Sequence, residues 1–207
     1  MSRISSSSFA GVLMLALGAS PVAAQNPPAQ PAAQPPRPPA VTFAPSGRAS
    51  TAITVSGAGG AGATISIDYG QPHASGRPVF GGLVPFDSVW RAGANRATHL
   101  ATDVPLTIGG TRIPAGTYTL ALLPSRTEPK LVINSRTRQW GVPYNAAGEV
   151  ARVPMRVRTL SDSVESFTIA LVPNANRPGL TATAPGTGVL TMTWGTLQFS
   201  VDFSAQP

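Results

Sequence analysis

Residues 188–203 read GVLTMTWGTLQFSVDF, with apolar side chains at alternate positions on both sides of Gly195. Alternation with a period of two is typical of β-strands that present one face to a core. Gly195-Thr196 fits a two-residue type II′ turn, which takes glycine at its first position. This turn predicts a hairpin whose apolar side chains share one face, with pairs Trp194–Leu197, Met192–Phe199 and Leu190–Val201.

Two more hairpins follow from the same side-chain matching. A Gly109-Gly110 turn places Leu106 opposite Ile113. A turn at Ser161-Asp162-Ser163 gives the pairs Val157–Phe167, Met155–Ile169 and Val153–Leu171.

Strand patterns recur along the chain, and no stretch keeps a helical period over three turns. The candidate strands are Thr51–Ser56, Thr64–Tyr69, Thr98–Thr102, Pro105–Ile108, Thr111–Ile113, Thr117–Leu123, Leu131–Asn134, Val150–Leu160, Val164–Val172, Gly188–Trp194 and Thr196–Phe203. Several half-buried antiparallel strands need two packed layers. We therefore predict an all-β fold over residues 49–204, a single-domain antiparallel β-sandwich or jelly-roll-like barrel.

The N-terminal region is typical of an exported protein. Residues 1–24 combine Arg3, a short apolar run over 9–19 and the small residues Val22-Ala23-Ala24, which is the pattern of a signal peptide. The run is too short to span a bilayer. Residues 25–48 are rich in Pro, Ala and Gln and predict a disordered linker. We expect a periplasmic or extracellular protein without disulfides, because the chain has no cysteine.

The charge distribution argues against nucleic-acid binding. The net charge is +7, but the arginines are spread along the chain and Lys130 is the only lysine. The basic Gly/aromatic motifs of single-strand binders are missing. Attraction to acidic lipids or glycans remains consistent with the charge. Arg152, Arg156 and Arg158 are predicted to form an outward basic stripe, interpreted mainly as a solvated face and alternatively as a docking face for a partner.

Residues 77–99 concentrate polar and aromatic side chains in a segment rich in Gly and Pro. Such groups on a loop held by a rigid scaffold are where binding and catalysis usually occur. Glu165, which shares the core-facing side of its strand with Phe167 and Ile169, is expected to pair with Arg91 or Arg96, since a buried carboxylate needs a partner.

These and later motifs resemble one bacterial family, domain of unknown function 2911 (DUF2911), over about residues 50–203. The resemblance rests on Tyr69, Pro72, Gly76-Arg77, Phe80-Gly81, Leu83-Val84-Pro85, Val89-Trp90-Arg91, Gly93-Ala94-Asn95, Ala97-Thr98, Ile113–Tyr118, Val132-Ile133-Asn134, Trp140-Gly141, Tyr144, Arg152, Glu165-x-Phe167-Thr168 and Trp194. It implies an exported or lipid-anchored protein and no established activity. Family members often carry an acidic residue where this chain has Arg96.

Motifs for catalysis are missing from the sequence. No Gly-x-Ser-x-Gly elbow is present, and Ser88 with Asp87 and a histidine has no supporting spacing. A metal site would need His73 and His99 with Asp68, Asp87 or Asp103. A glycosidase pair would have to use Glu149 and Glu165. No cofactor is predicted.

Binding fits the residue types better than catalysis does. An aromatic platform with Arg and Asn nearby can stack on a sugar ring and bond its hydroxyl or acidic groups. The alternative is that Trp90 closes the sandwich end while Arg91 and Asn95 tie the loop backbone. We predict a non-enzymatic binding module for an envelope or extracellular ligand such as a glycan; the alternative is a hydrolase or metal-dependent enzyme that uses His73 or His99. The candidate ligand-binding residues are Arg77, Trp90, Arg91, Asn95, His99, Trp140 and Tyr144.

Overall fold

A computed structural model of the protein describes residues 46–56, 62–137, 140–174 and 186–205. The predicted signal peptide, most of the predicted linker and residues 57–61 of the glycine-rich connection lie outside these ranges. The described part contains ten β-strands and one 3₁₀ turn, at Ala146–Gly148. None of its helices is long and apolar enough to cross a membrane.

The strands follow the predicted order closely. Their bounds are β1 Arg48–Ser56, β2 Gly62–Gly70, β3 Thr98–Thr102, β4 Leu106–Ile108, β5 Thr111–Ile113, β6 Gly116–Leu123, β7 Lys130–Asn134, β8 Glu149–Pro154, β9 Arg156–Pro173 and β10 Gly186–Ala205. The predicted strand Val150–Leu160 divides into β8 and the start of β9, and Met155 lies between them.

Two antiparallel sheets form the sandwich that the sequence predicts. One has the order β1-β2-β3-β6-β7-β8 and the other β5-β4-β10-β9. The short hairpin of β4 and β5 belongs to the second sheet, although it lies between β3 and β6 of the first in sequence. The inward faces meet in one core, whose largest fully buried side chains include Phe167, Phe199, Ile67, Leu120 and Ile133. Burial of such side chains is the main stabilising contribution in a protein without disulfides.

One of the three predicted hairpins is confirmed. Leu106 pairs with Ile113 across the Gly109-Gly110 turn. The other two are wrong, because β9 and β10 each continue as one strand through the residues of the predicted turn, and the two strands pair with one another. Val157 lies opposite Phe199, and Met192 lies opposite Ile169. The register shifts around Gly195, so the expected turn is an irregularity within a strand.

The second sheet is strongly curved. A Cβ atom added to Gly188, near the start of β10, would lie 2.5 Å from the ring of Phe203 near its end. The two ends of β10 therefore approach each other across the core. At the other edge, Phe167 of β9 donates its N–H to the Pro72 carbonyl at 2.9 Å, which links the second sheet to the segment that follows β2.

The three arginines of the predicted basic stripe are exposed, as expected. They are divided between two strands, however, and each has a partner. Arg152 pairs with Glu149, Arg156 pairs with Asp202, and Arg158 donates to Gln198. Because these partners neutralise or occupy the guanidinium groups, the described structure favours the solvated face over a docking face.

Candidate binding pocket

The segment between β2 and β3 is a folded loop fixed to both sheets. Trp90 exchanges two backbone hydrogen bonds of 2.8 Å with Leu122 of β6. Ala94 donates its N–H to the Gly70 carbonyl at 3.1 Å, and Ala74 donates to the Glu165 carbonyl of β9 at 2.8 Å. These hydrogen bonds tie the loop to the strands beside it, so the sheets position its side chains.

Trp90 closes one end of the core. Its ring stacks on Trp194 with centroids 5.6 Å apart and meets the edge of Phe167 at 4.9 Å. Phe80 contacts it at 6.4 Å from another side. Trp90 is only half-buried, so it joins the core cluster and still leaves part of its surface accessible.

The accessible part of Trp90 forms one wall of a pocket, which we call the Arg91 pocket. It has a volume of about 380 Å³, within the roughly 300–1,000 Å³ of small-molecule sites. Its lining combines aromatic and cationic side chains with small loop residues: Ser46, Pro72, His73, Ser75, Arg77, Leu83, Val84, Trp90, Arg91, Gly93, Ala94 and Trp194. None of these lining residues is acidic.

Two arginines face this pocket and are held in place by backbone carbonyls. Arg91 donates Nε–H to the Gly93 carbonyl at 3.1 Å. Arg77 donates Nε–H to the Ala74 carbonyl at 2.9 Å and Nη2–H to the His73 carbonyl at 3.1 Å. Within the described ranges, no further hydrogen bond is found for the two Nη atoms of Arg91 or for Nη1 of Arg77. These groups can therefore donate to a ligand.

Burial lowers the pKa of the half-buried Arg91 guanidinium. An arginine keeps its charge despite such a shift, because its ordinary pKa lies far above neutral pH. A fixed cation with little hydration and unused donors favours a carboxylate or another planar anion.

His73 lies in the same pocket and is bonded to β9. Its Nδ1 is 2.8 Å from the Ser166 hydroxyl. This contact resembles a nucleophile and its base, but no carboxylate is hydrogen-bonded to the imidazole within the described residues. A catalytic triad would need that third group to orient the ring.

The expected pairing of Glu165 with an arginine is wrong. The Glu165 carboxylate is exposed and accepts a 2.7 Å hydrogen bond from the backbone N–H of Ser75. Because this side chain reaches solvent at the rim, it needs no cationic partner. Arg91 instead bonds the backbone of its own loop.

The remaining predicted site residues lie outside the Arg91 pocket. Asn95 is exposed and donates to the Ser46 carbonyl at 3.2 Å. His99 lies 2.6 Å from the Thr137 carbonyl, which accepts its Nε2–H. Trp140 is 58% exposed, and the adjacent Gly141 packs against the Arg91 side chain. The structure thus brings Arg77, Trp90 and Arg91 together at one pocket and places Gly141, the neighbour of Trp140, against the Arg91 side chain.

Tyr144 belongs to a separate polar cluster at the β8 edge. Its hydroxyl donates to Glu149 at 2.7 Å, and burial together with this bond raises the pKa of Tyr144 to about 12. Arg152 binds the same carboxylate through two nitrogens at 2.8 and 2.6 Å and lowers the pKa of Glu149. These three side chains satisfy one another, which indicates a structural role for the cluster.

The metal site considered from the sequence is wrong. Across the described ranges, no three His, Asp or Glu side chains come close enough to hold a metal ion. Asp68 pairs with Arg48, and Asp103 accepts the N–H of Thr64 at 2.8 Å. A triad through Ser88 is also not formed, since no hydrogen bond joins Ser88 to His73 or His99 within the described residues; the two rings contact Ser166 and Thr137.

Two side chains that line the pocket had been given other roles from the sequence. His73 entered the predictions only as a metal ligand or catalytic base, and Trp194 only as a core residue. Trp194 is 3% exposed, yet it borders the pocket beneath Trp90. The available signal was the apolar alternation of β10, which places Trp194 on the inner face but does not show that this face ends at a cavity.

Comparison with known proteins gives one match. Residues 50–203 match a family described as "Protein of unknown function (DUF2911)". No curated protein and no solved structure matches the chain.

Proposed function

We propose a ligand-binding function for this chain, which belongs to the DUF2911 family. The function is that of an exported, non-enzymatic binding protein, and its ligand is an acidic sugar or glycan of the cell envelope or its surroundings. The observation that carries the proposal is the Arg91 pocket, where Arg77 and Arg91 border the ring of Trp90 and no lining side chain is acidic.

The chemistry of the pocket matches each part of such a ligand. The C–H face of a sugar ring packs against aromatic surface, and Trp90 is held at the wall by Trp194 and Phe167. A carboxylate on the sugar can accept hydrogen bonds from Arg91 and Arg77, which are already oriented by backbone carbonyls. Orientation before binding reduces the entropy lost when the complex forms.

The cellular location in this proposal is inferred from the sequence. Residues 1–24 have the pattern of a signal peptide. An exported protein meets glycans and other anionic envelope components, and a net charge of +7 attracts such partners.

Binding of galacturonate and glucuronate, measured by ligand-observed NMR and calorimetry with galactose as the neutral control, tests the proposal. We expect both acids to bind and Arg91→Gln to weaken them about tenfold or more, since a charge-assisted hydrogen bond contributes about 1.5–3 kcal/mol. Arg112→Gln is the matched control, because Arg112 is exposed on β5 and borders no part of the pocket.

Two results would contradict the function. One is equal binding of galactose and galacturonate, which would show that the arginines do not recognise the carboxylate. The other is equal weakening by Arg91→Gln and Arg112→Gln, which would show a nonspecific charge effect. Thermal unfolding of both variants verifies that the folded protein is being compared.

A further inference from the structure

A second pocket lies next to the first, and we call it the Arg126 pocket. Its volume is about 330 Å³, and its lining includes Arg77, Phe80, Phe86, Arg126, Ser163 and Gly195. The guanidinium of Arg126 lies over the ring of Phe86, 4.4 Å from its centroid. The second pocket therefore repeats the combination of cationic and aromatic groups found in the first.

The two pockets share a wall. Arg77 borders both of them, and its position is fixed by the carbonyls of Ala74 and His73. Phe80 of the Arg126 pocket contacts Trp90 of the Arg91 pocket at 6.4 Å. On the β10 side, the consecutive residues Trp194 and Gly195 border one pocket each. A single ligand can thus pass along Arg77 from one pocket to the other.

The charged side chains that line the two pockets are all cationic. Neither lining contains Asp or Glu. Asp87, Glu128, Asp162 and Glu165 lie within two positions of a lining residue in sequence, and all four are exposed. Arg91 lines the first pocket, Arg126 lines the second and Arg77 lines both, so positive charge is present along the whole pair.

We propose that the two pockets are adjoining subsites for an acidic oligosaccharide that carries a carboxylate on each of at least two sugar units. Arg91 binds the first carboxylate, Arg126 binds the second, and Arg77 lies between them. Trp90 and the phenylalanine pair Phe80–Phe86 provide apolar surface for the two sugar rings. This inference rests on the proposed function, and it adds the size and repeat of the ligand.

Calorimetry with galacturonate and its oligomers of two to four units tests the arrangement. We expect the affinity to rise about tenfold from one unit to the length that reaches both pockets, since each charge-assisted contact corresponds to roughly that factor. Arg126→Gln should abolish this rise and weaken binding of the single unit no more than Arg112→Gln does. Arg91→Gln should weaken every length, and Arg112→Gln should have only the slight effect of a remote charge, equal at every length.

The outcomes distinguish failure of the second subsite from failure of the proposed function. If the single unit binds through Arg91 but the longer oligomers gain nothing, only the second subsite is refuted. If no acidic sugar binds, the function itself is refuted. Tripolyphosphate and maltooligosaccharides of two to four units serve as charge-only and sugar-only probes. Equal affinity of either probe and the matching acidic oligomer would overturn the assignment to an acidic glycan.

Discussion

Glu149 shows at the level of one residue how the chain uses its few carboxylates. It accepts hydrogen bonds from Arg152 and Tyr144, and the Arg152 contact is the largest cause of the lowered pKa of Glu149. A carboxylate with a lowered pKa stabilises the fold above its unfolded pKa, which is about 4.5, and loses this contribution as the pH falls through the folded value.

Glu149→Gln should therefore lower stability at neutral pH by about 1 kcal/mol. It should also flatten the decline in stability below about pH 4.5, because the variant has no carboxylate left to protonate. Thermal unfolding between pH 3 and 7 measures both effects. Asp202→Asn is the comparison: Asp202 pairs with Arg156 but is 64% exposed against 20% for Glu149, so its effect should be smaller. A larger effect of Asp202→Asn would contradict this ranking.

Individual site residues were predictable only in part. The loop composition of residues 77–99 indicated Trp90 and Arg91, and the family motif indicated Arg77. Arg126 carries no such signal, because its loop between β6 and β7 is an ordinary polar turn in sequence. Its place at a pocket depends on contact with Phe86, forty residues earlier in the chain. Contacts of this kind are set by tertiary packing and have no local pattern.

The strands β9 and β10 show why the sequence predicted the presence of strands correctly and their pairing partners incorrectly. In β10 the buried hydrophobic side chains are at even-numbered positions up to Trp194 and at odd-numbered positions from Phe199 onward. A two-residue turn and a bulge both produce this change, since each reverses the alternation once. The sequence pattern thus marked the irregularity at Gly195 correctly and could not distinguish a chain reversal from a continuous strand.

The register shows what replaces the predicted turns. β10 advances from Thr193 to Leu197 while its partner runs back from Thr168 to Thr159. The extra residues of β9, which include Ser161–Ser163, have no partners in β10 and form an irregular bulge. Polar residues that favour turns also favour bulges, because both need the backbone to leave the ladder. Both features lie beside the Arg126 pocket, which Ser163 and Gly195 help to line.

Gly195→Ala should destabilise the protein by about 2 kcal/mol. Gly195 has a φ of 57°, and an added Cβ would lie 3.1 Å from Val79. Gly110→Ala is the control, because its φ is 84° and nothing lies within 4 Å of the added atom. It keeps the conformational penalty without the contact. Urea unfolding measures both free energies, and an equal loss in the two variants would show that the Val79 contact contributes nothing.

At the scale of the whole molecule, positive charge exceeds negative charge, with 15 Lys and Arg residues against 8 Asp and Glu residues. The described structure uses Asp68, Glu149 and Asp202 in ion pairs with arginines and leaves Arg77, Arg91 and Arg126 without acidic partners. Part of the excess positive charge, which gives the chain its net charge of +7, therefore lies at the two pockets. Charge placed this way attracts an anion over long range and binds it at short range.

These two contributions differ in their response to salt. The screening length is about 10 Å at 0.1 M salt and about 3 Å at 1 M, so long-range attraction disappears first. We expect the dissociation constant of tetragalacturonate to rise several-fold between 50 and 500 mM NaCl. The midpoint of thermal unfolding of the free protein should not fall, since salt also screens the repulsion among its surplus arginines.

Two variants distinguish remote charge from direct contact. Arg112→Gln should weaken binding slightly at 50 mM NaCl and not at 500 mM. Arg91→Gln should weaken binding at both salt concentrations, because direct contacts are screened less than remote charges. Calorimetry and thermal unfolding across the same salt series measure these quantities. An affinity independent of salt would contradict the electrostatic part of the proposal, and a loss of the Arg91→Gln effect at 500 mM would show that Arg91 acts only through its long-range field.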